Sequence, residues 1–192
     1  MPLKGEMGEL VELAIKESSR VMNLATKLKQ FYRPSSGEAV PLDIHDILED
    51  MIVLKKKDFA GKKIKLVKNY GSNLPKIHVV EDQLKQVILN LLQNSEESIE
   101  TDNGVITITT SARDNQLELK VEDNGGGIHP THLKNIFEPF FTTKSDVKGT
   151  GLGLFVSYGI IKRLGGDIQC ASEVGKGTVF TMTLPIGRPD PA

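Results

Sequence analysis

The sequence predicts an α+β fold: a two-layer sandwich of helices on a mixed, mostly antiparallel sheet, preceded by one bundle-type helix. Three observations support this prediction. Helical and strand patterns mix along the chain. In the second half, neighbouring strands are joined by short turns, which favours antiparallel pairing and argues against a doubly wound parallel sheet. The first segment has a heptad pattern of its own and is followed by a linker.

The first segment, residues 6–32, is predicted to be one helix. Its seam alternates steps of four and three, with one charged interruption, through Leu10, Ala14, Glu17, Val21, Leu24, Leu28 and Phe31. A lone helix of this kind is marginal in water, so it either packs on its own domain or joins a helical bundle. We favour a dimeric bundle, because residues 34–38, Pro-Ser-Ser-Gly-Glu, are typical of a linker.

The globular domain is predicted to occupy residues 39–186, followed by a disordered tail at 187–192. Periodicity, caps and turn signals place its elements. In order, we predict a strand at 39–42, a helix capped by Asp43 and reaching 58, strands at 64–69 and 76–80, a helix at 82–99, strands at 105–113 and 116–122, a helix at 152–164, and a hairpin of strands 168–171 and 178–184. The stretch from 123 to 151 is predicted to be irregular.

The composition excludes several classes of function. Lys and Arg number 24 against 25 Asp and Glu, so the formal net charge of −1 gives no broad electrostatic reason to bind nucleic acid or an anionic membrane. The single cysteine, Cys170, has no partner for a disulfide or a metal site, which fits a reducing cytosol and predicts a cytoplasmic location. No apolar run approaches the length of a membrane span, so we expect no membrane contact from these residues.

Two sets of polar residues suit a nucleotide. Asn90 and Asn94 are four residues apart and share one helical face, and an amide oxygen suits a hard cation such as Mg²⁺. A pair of surface amides is the simpler interpretation of that spacing. Asp123 ends a strand and precedes three glycines, so its carboxylate can accept a hydrogen bond from an exocyclic amine such as that of adenine. Taken alone, this motif is more typical of a simple glycine turn.

Two further segments suit phosphate. Residues 136–144, Ile-Phe-Glu-Pro-Phe-Phe-Thr-Thr-Lys, offer three phenylalanines as anchors for a polar flap over 142–148, with Lys144 and Lys148 available to phosphate. The alternative is a surface loop with a small apolar cluster. Residues 149–154, Gly-Thr-Gly-Leu-Gly-Leu, open a helix, where free backbone N–H groups and the positive helix end favour a polyphosphate. A dinucleotide-binding motif is excluded because no strand directly precedes them and no βαβ unit surrounds them.

In order and spacing, these segments resemble the asparagine box, first glycine box, phenylalanine box and second glycine box of the histidine kinase catalytic domain. That domain belongs to the gyrase, chaperone, histidine kinase and mismatch-repair ATPase superfamily. The resemblance covers residues 39–185 and implies a Bergerat-type ATP-binding fold. It implies Mg²⁺ ligation by Asn94 with Asn90 assisting, and adenine recognition by Asp123. Further nucleotide-binding roles are implied for Gly125, Gly127, Ile128, Phe137, Thr143, Gly149, Thr150, Gly151, Leu152, Gly153, Leu154 and Thr178.

The resemblance also implies the reaction. Hydrolytic ATPases of the superfamily carry a water-activating glutamate four residues before the metal asparagine, and this chain has Asn90 there, which cannot act as a general base. The site therefore resembles that of a kinase that passes the γ-phosphoryl of ATP to a histidine, and thence to the receiver domain of a response regulator. Lys144 is the other candidate catalytic residue, because Glu97 stands where some histidine kinases have a basic residue. The alternatives are a related serine kinase that controls a sigma factor, and a nucleotide-binding module without kinase activity.

The end of the first helix, Phe-Tyr-Arg-Pro at 31–34, resembles the second helix of the family's dimerisation domain. Residues 1–33 are therefore expected to belong to a bundle that forms a homodimer in the full-length protein. The phosphoacceptor histidine is expected upstream of residue 1. His45 is the tempting candidate within the chain, because an acidic residue follows it, but the family motif does not continue there. We expect His45 to be an exposed residue in the first turn of a domain helix.

Overall fold

The computed structural model describes residues 7–18, 22, 37–143 and 150–187. The chain forms two compact units, Met1–Ser35 and Ser36–Ala192. Residues 188–192 of the predicted tail lie outside the described ranges. No helix in the described part of the chain is long and apolar enough to cross a membrane.

The first unit contains a helix, α1, over residues 7–18. Its large apolar side chains are more than half exposed, namely Met7, Leu10, Val11, Leu13 and Ile15. The rest of the predicted seam, from Val21 onward, lies outside the described residues. A lone helix with so much exposed apolar surface is only marginally stable. The assignment of residues 1–33 to a bundle stays a prediction.

The second unit contains four helices and seven strands in its described residues. They are β1 (Val40–Leu42), α2 (Ile44–Gly61), β2 (Lys65–Tyr70), β3 (Ile77–Val79), α3 (Glu81–Ser98), β4 (Val105–Arg113), β5 (Gln116–Asp123), α4 (Pro130–Leu133), α5 (Gly153–Arg163), β6 (Asp167–Glu173) and β7 (Gly177–Pro185). Five strands form one sheet in the order β2-β4-β5-β7-β6. β2 is parallel to β4, and the other neighbouring pairs are antiparallel.

The core lies between this sheet and the helices. Over most of β4 and β5 buried residues alternate with more exposed ones, as their sequence predicts; the buried ones include Ile106, Ile108, Thr110, Leu117, Leu119 and Val121. The matching face of α3 contributes five side chains with no exposed area, Leu84, Val87, Ile88, Leu91 and Leu92. Helix α3 packs against α2, α5 and β5. The predicted two-layer α+β sandwich is thereby confirmed.

The structure differs from the sequence prediction at helices α2 and α4. Helix α2 continues past Asp58 to Gly61, because Phe59 turns into the core and is only 4% exposed. A short helix, α4, occupies part of the stretch predicted to be irregular; Pro130 begins it, a position where the missing N–H of proline costs nothing. The pairing of β1 and β3, which the sequence analysis left open, forms a separate two-stranded sheet.

Candidate nucleotide-binding site

Asp123, the last residue of β5, is a buried carboxyl group, 3% exposed. Its Oδ1 accepts a hydrogen bond from the backbone N–H of Gly125 at 3.0 Å and lies 2.9 Å from the Ser98 hydroxyl. Burial raises the pKa of Asp123, and these hydrogen bonds oppose that rise. The carboxyl group at the end of β5 is therefore a hydrogen-bond acceptor with one oxygen already bound by the protein.

The loop after Asp123 fits closely because residues 125 and 127 are glycines. A Cβ atom at Gly125 would lie 2.2 Å from the Ser98 hydroxyl oxygen. Gly127 has φ +73° and faces the carbonyl of Glu173, which a Cβ atom would approach to 2.2 Å. The first glycine box thus lets the backbone lie between the end of α3 and the hairpin of β6 and β7.

The β6–β7 hairpin forms the other side of this end of the site. Thr178 lies opposite Asp123 in the β5–β7 register and is 3% exposed. Its hydroxyl is 2.9 Å from that of Ser172, which donates to the carbonyl of Gly177 and accepts from the N–H of Ile128 at 2.8 Å. Ser172, which the sequence did not single out, therefore joins the predicted residues Ile128 and Thr178.

Asn90 connects α3 to the start of α5. Its Nδ2 donates to the carbonyl of Gly153 at 3.1 Å and to the hydroxyl of Ser157 at 3.2 Å. Ser157 is fully buried and also donates to the Gly153 carbonyl, at 3.0 Å. The Asn94 side chain is half-buried and takes part in no hydrogen bond within the described residues. Its amide oxygen is therefore available to a ligand.

The start of α5 has the features of a phosphate site. Leu152 is fully buried and precedes the helix, and no described side chain caps the helix N-terminus. Gly151 has φ +64°, and a Cβ atom there would lie 2.3 Å from the carbonyl carbon of Phe140. The N–H groups of the first turn and the positive end of the helix dipole suit an anion. Thr150 and Leu154 flank this turn and are half-buried.

The phenylalanine segment only partly matches its prediction. Phe137 is half-buried and packs on Tyr158 with ring centroids 5.4 Å apart, so it is an anchor. Phe140 is not an anchor, because its side chain is 58% exposed; its φ is +65°. Thr143 is exposed at the end of the described segment. Lys144 and Gly149 lie outside the described residues, as does most of the predicted flap.

One face of α3 connects the two ends of the site. Asn90, Asn94 and Ser98 are spaced four residues apart, so they form a stripe along the helix. Asn90 contacts the start of α5, and Ser98 contacts Asp123. Their separation of eight residue steps corresponds to about 12 Å along the helix. This geometry gives an elongated site with an uncapped helix N-terminus at one end, the amide of Asn94 at its centre and the Asp123 carboxyl group at the other end.

The comparison with known proteins identifies the family of this domain. The family described as histidine kinase-, DNA gyrase B-, and HSP90-like ATPase matches residues 79–188, more than half of the chain. The chain belongs to this family. Proteins similar to this chain within the family are histidine kinases, and the match to an ATPase family supports ATP as the nucleotide.

Sensor histidine kinase ZraS of Escherichia coli (strain K12) is 35% identical over 192 residues, covering 99% of this chain. The catalytic domain of histidine kinase ThkA superposes with a TM-score of 0.71 at 29% identity, covering 79% of this chain and 99% of that structure. Full-length ShkA in complex with AMPPNP gives a TM-score of 0.78 at 25% identity, covering 96% of this chain and 40% of that one. The chain spans only 41% of the length of ZraS.

Proposed function

We propose that this chain is the ATP-binding catalytic region of a two-component sensor histidine kinase. It transfers the γ-phosphoryl of ATP to a histidine upstream of residue 1, from which the phosphoryl passes to the receiver domain of a response regulator. The observation that supports this most directly is the α3 stripe, which joins the anion-binding start of α5 to the buried Asp123. The similarity to ZraS supports the choice of a histidine as acceptor. The homodimer and the cytoplasmic location predicted from the sequence belong to the same proposal.

Each end of the site has a separate task in this proposal. Asp123 accepts a hydrogen bond from the exocyclic amine of adenine, and the first turn of α5 binds the phosphates through its N–H groups. The oxygens of Asn94 and Asn90 fit Mg²⁺, which favours oxygen ligands and keeps several waters and phosphate oxygens around it. The ion would neutralise phosphate charge. The protein contributes positioning and electrostatic stabilisation, which supply most of the catalysis in phosphoryl transfer.

Asn90 also explains why transfer is favoured over hydrolysis. The donors on its Nδ2 bind the Gly153 carbonyl and the Ser157 hydroxyl. A glutamate at this position would have no N–H group to donate to either oxygen. The local structure therefore suits an amide, which cannot activate water as a general base.

Asn94→Ala is expected to weaken ATP binding in the presence of Mg²⁺ much more than binding in the presence of chelator, because it removes a metal ligand and no protein hydrogen bond. Calorimetry under both conditions measures this. Gln93→Ala is the matched control: it removes an amide from the exposed side of the same helix, where Gln93 donates to Glu97 at 2.8 Å. An equal loss in Mg²⁺ and in chelator would assign Asn94 a structural role.

The kinase assignment is tested by supplying an acceptor. The chain is incubated with γ-labelled ATP and a fragment of a sensor histidine kinase that carries a phosphoacceptor histidine, or is fused behind that fragment. We expect acid-labile label on the acceptor histidine, and none on the chain alone. Acid-stable label on serine would favour the serine kinase alternative. ATP binding without any transfer would favour a nucleotide-binding module.

His45 is expected to take no label in that experiment. It lies in the first turn of α2, as predicted, but it is half-buried and not exposed. Its ring stacks on Tyr70 at 4.4 Å, and its Nε2 lies 2.9 Å from the Thr110 hydroxyl. Its Nδ1 is 3.8 Å from Asp43. Both nitrogens therefore face groups of the domain itself, and label mapping to His45 would contradict the proposal that the acceptor lies upstream.

A further inference from the structure

Two serines in the last turn of α3 lie against the Asp123 carboxyl group. The Ser98 hydroxyl is 2.9 Å from Asp123 Oδ1 and 2.8 Å from the carbonyl oxygen of Ser95. It has one proton and two acceptors. The Ser95 hydroxyl is completely buried and makes no well-formed hydrogen bond within the described residues, yet it lies close enough to lower the pKa of Asp123. The last turn of α3 therefore places two hydroxyl groups beside this carboxyl group.

The position of Ser98 satisfies Asp123 in both of its charge states. When the carboxyl is ionised, Ser98 donates its proton to Oδ1. When the carboxyl is protonated, it can donate to the Ser98 oxygen, and Ser98 then donates to the Ser95 carbonyl. The heavy atoms need not move between the two arrangements, because both acceptors are within hydrogen-bond distance. In the ionised form Asp123 can accept a hydrogen bond from an amine.

The balance between these forms depends on opposing effects. Burial raises the pKa of Asp123, whereas the N–H of Gly125, the hydroxyls of Ser98 and Ser95, and the N–H of Thr178 lower it. Removing the Ser98 hydroxyl would therefore raise the pKa of Asp123 further, because burial would be less opposed.

The other titratable groups on the elements around Asp123 do not account for the expected pH dependence of nucleotide binding. Strand β7 has none, and β4 has only Arg113 at its opposite end. On β6, burial raises the pKa of Cys170 to about 12, so this thiol stays neutral in the physiological range. The remaining charged groups nearby are engaged elsewhere: Glu96 pairs with Lys55, Glu173 pairs with Lys176, and the exposed His129 lies 2.8 Å from Thr131.

Building on the proposed ATP-binding function, we propose that Ser98 is a positioning residue for base recognition. Its hydroxyl fixes the orientation of the Asp123 carboxyl and favours the ionised form that accepts the exocyclic amine of adenine. As the pH falls towards the pKa of Asp123, binding of an adenine nucleotide is therefore coupled to release of a proton from this carboxyl group. Ser98 sets the pH below which affinity for adenine nucleotides declines.

The test compares nucleotides with and without the amine. Calorimetry from about pH 5 to about pH 8 would follow binding of ATP and of purine riboside triphosphate, which lacks the exocyclic amine, so that titration of the phosphates cancels. The variants are Ser98→Ala and Ser98→Thr, which retains a hydroxyl. The control is Ser111→Ala, because Ser111 also contacts a carboxylate, Glu118 at 3.5 Å, but lies on β4 well before its partner strand reaches Asp123. Melting curves establish that each protein is folded.

We expect Ser98→Ala to lose ATP affinity at a higher pH than the wild type, with a further weakening of up to about tenfold at the acidic end for a shift of one pKa unit. Ser98→Thr and Ser111→Ala should follow the wild-type profile, and purine riboside triphosphate should bind all four proteins with the same pH dependence. Identical profiles for wild type and Ser98→Ala, or one constant factor at every pH, would overturn the proposal. If Ser98→Ala does not fold, the wild type alone provides the test. It must release more protons on binding ATP than on binding purine riboside triphosphate. A wild type that binds neither nucleotide would instead contradict the proposed function.

Discussion

Gly177→Ala is expected to lower the free energy of unfolding by about 3 kcal/mol or more. Gly177 begins β7 and has φ +127°, a backbone conformation that glycine adopts far more readily than any other residue. A Cβ atom at this position would lie 1.9 Å from the carbonyl oxygen of Asp123. Both sides of the clash involve the backbone, so no side-chain rotation can relieve it.

The same substitution is expected to remove nucleotide binding even where the domain stays folded. Relief of the clash requires β7 to move away from the end of β5, which separates Thr178 from Asp123. It also displaces the Gly177 carbonyl that holds the Ser172 hydroxyl. Asp123 therefore loses its position relative to Thr178, and Ser172 loses a hydrogen-bond partner.

Gly175→Ala is the matched control for this prediction. Gly175 lies in the same hairpin turn and has φ +77°, but nothing lies within 4 Å of the added Cβ. Its cost is then the local conformational strain of about 1 kcal/mol. Urea denaturation measures both variants, and ATP calorimetry follows on whatever folds. Equal losses of stability in the two variants would show that the contact with Asp123 is not the cause.

The parts of the fold that follow from local periodicity were predictable from the sequence. Strand β4 occupies residues 105–113 as predicted, because its alternation matches a strand with one buried face. The α3 stripe was also partly visible, since Asn90 and Asn94 are four residues apart. Ser98 continues that spacing by four more residues, and this signal could have identified it.

The roles of Ser157 and Ser172 depend on tertiary contacts, which the spacing of residues in the sequence does not reveal. Ser157 meets Asn90 across 67 residues of sequence, and Ser172 meets Ile128 across 44. Serine is common on exposed surfaces, so its type alone gives no signal. The exposure of Phe140 was missed because an apolar residue was expected to be buried, whereas its side chain is exposed and its backbone lies against Gly151.

Asp123→Asn is expected to weaken ATP binding by about 1.5–3 kcal/mol, the range for a hydrogen bond to a charged group. The N–H of Gly125 and the Ser98 hydroxyl occupy one oxygen of the carboxyl group. An asparagine satisfies them best with its carbonyl oxygen in that place. Its NH₂ group then faces the exocyclic amine of adenine. Two hydrogen-bond donors are thereby opposed, whereas in the wild type the amine donates to the carboxylate.

The stability of Asp123→Asn separates this effect from general damage to the fold. Because burial raises the pKa of Asp123 above its ordinary value of 3.8, the folded state favours the protonated carboxyl. The favourable contribution of that group is fully present below its unfolded pKa and is lost as the pH rises through its folded pKa. The asparagine variant lacks this loss, so at neutral pH we expect it to be at least as stable as the wild type while it binds ATP less tightly. Urea denaturation and calorimetry on the same samples test both expectations, and a variant that loses stability and affinity together would indicate that Asp123 supports the fold instead of recognising the base.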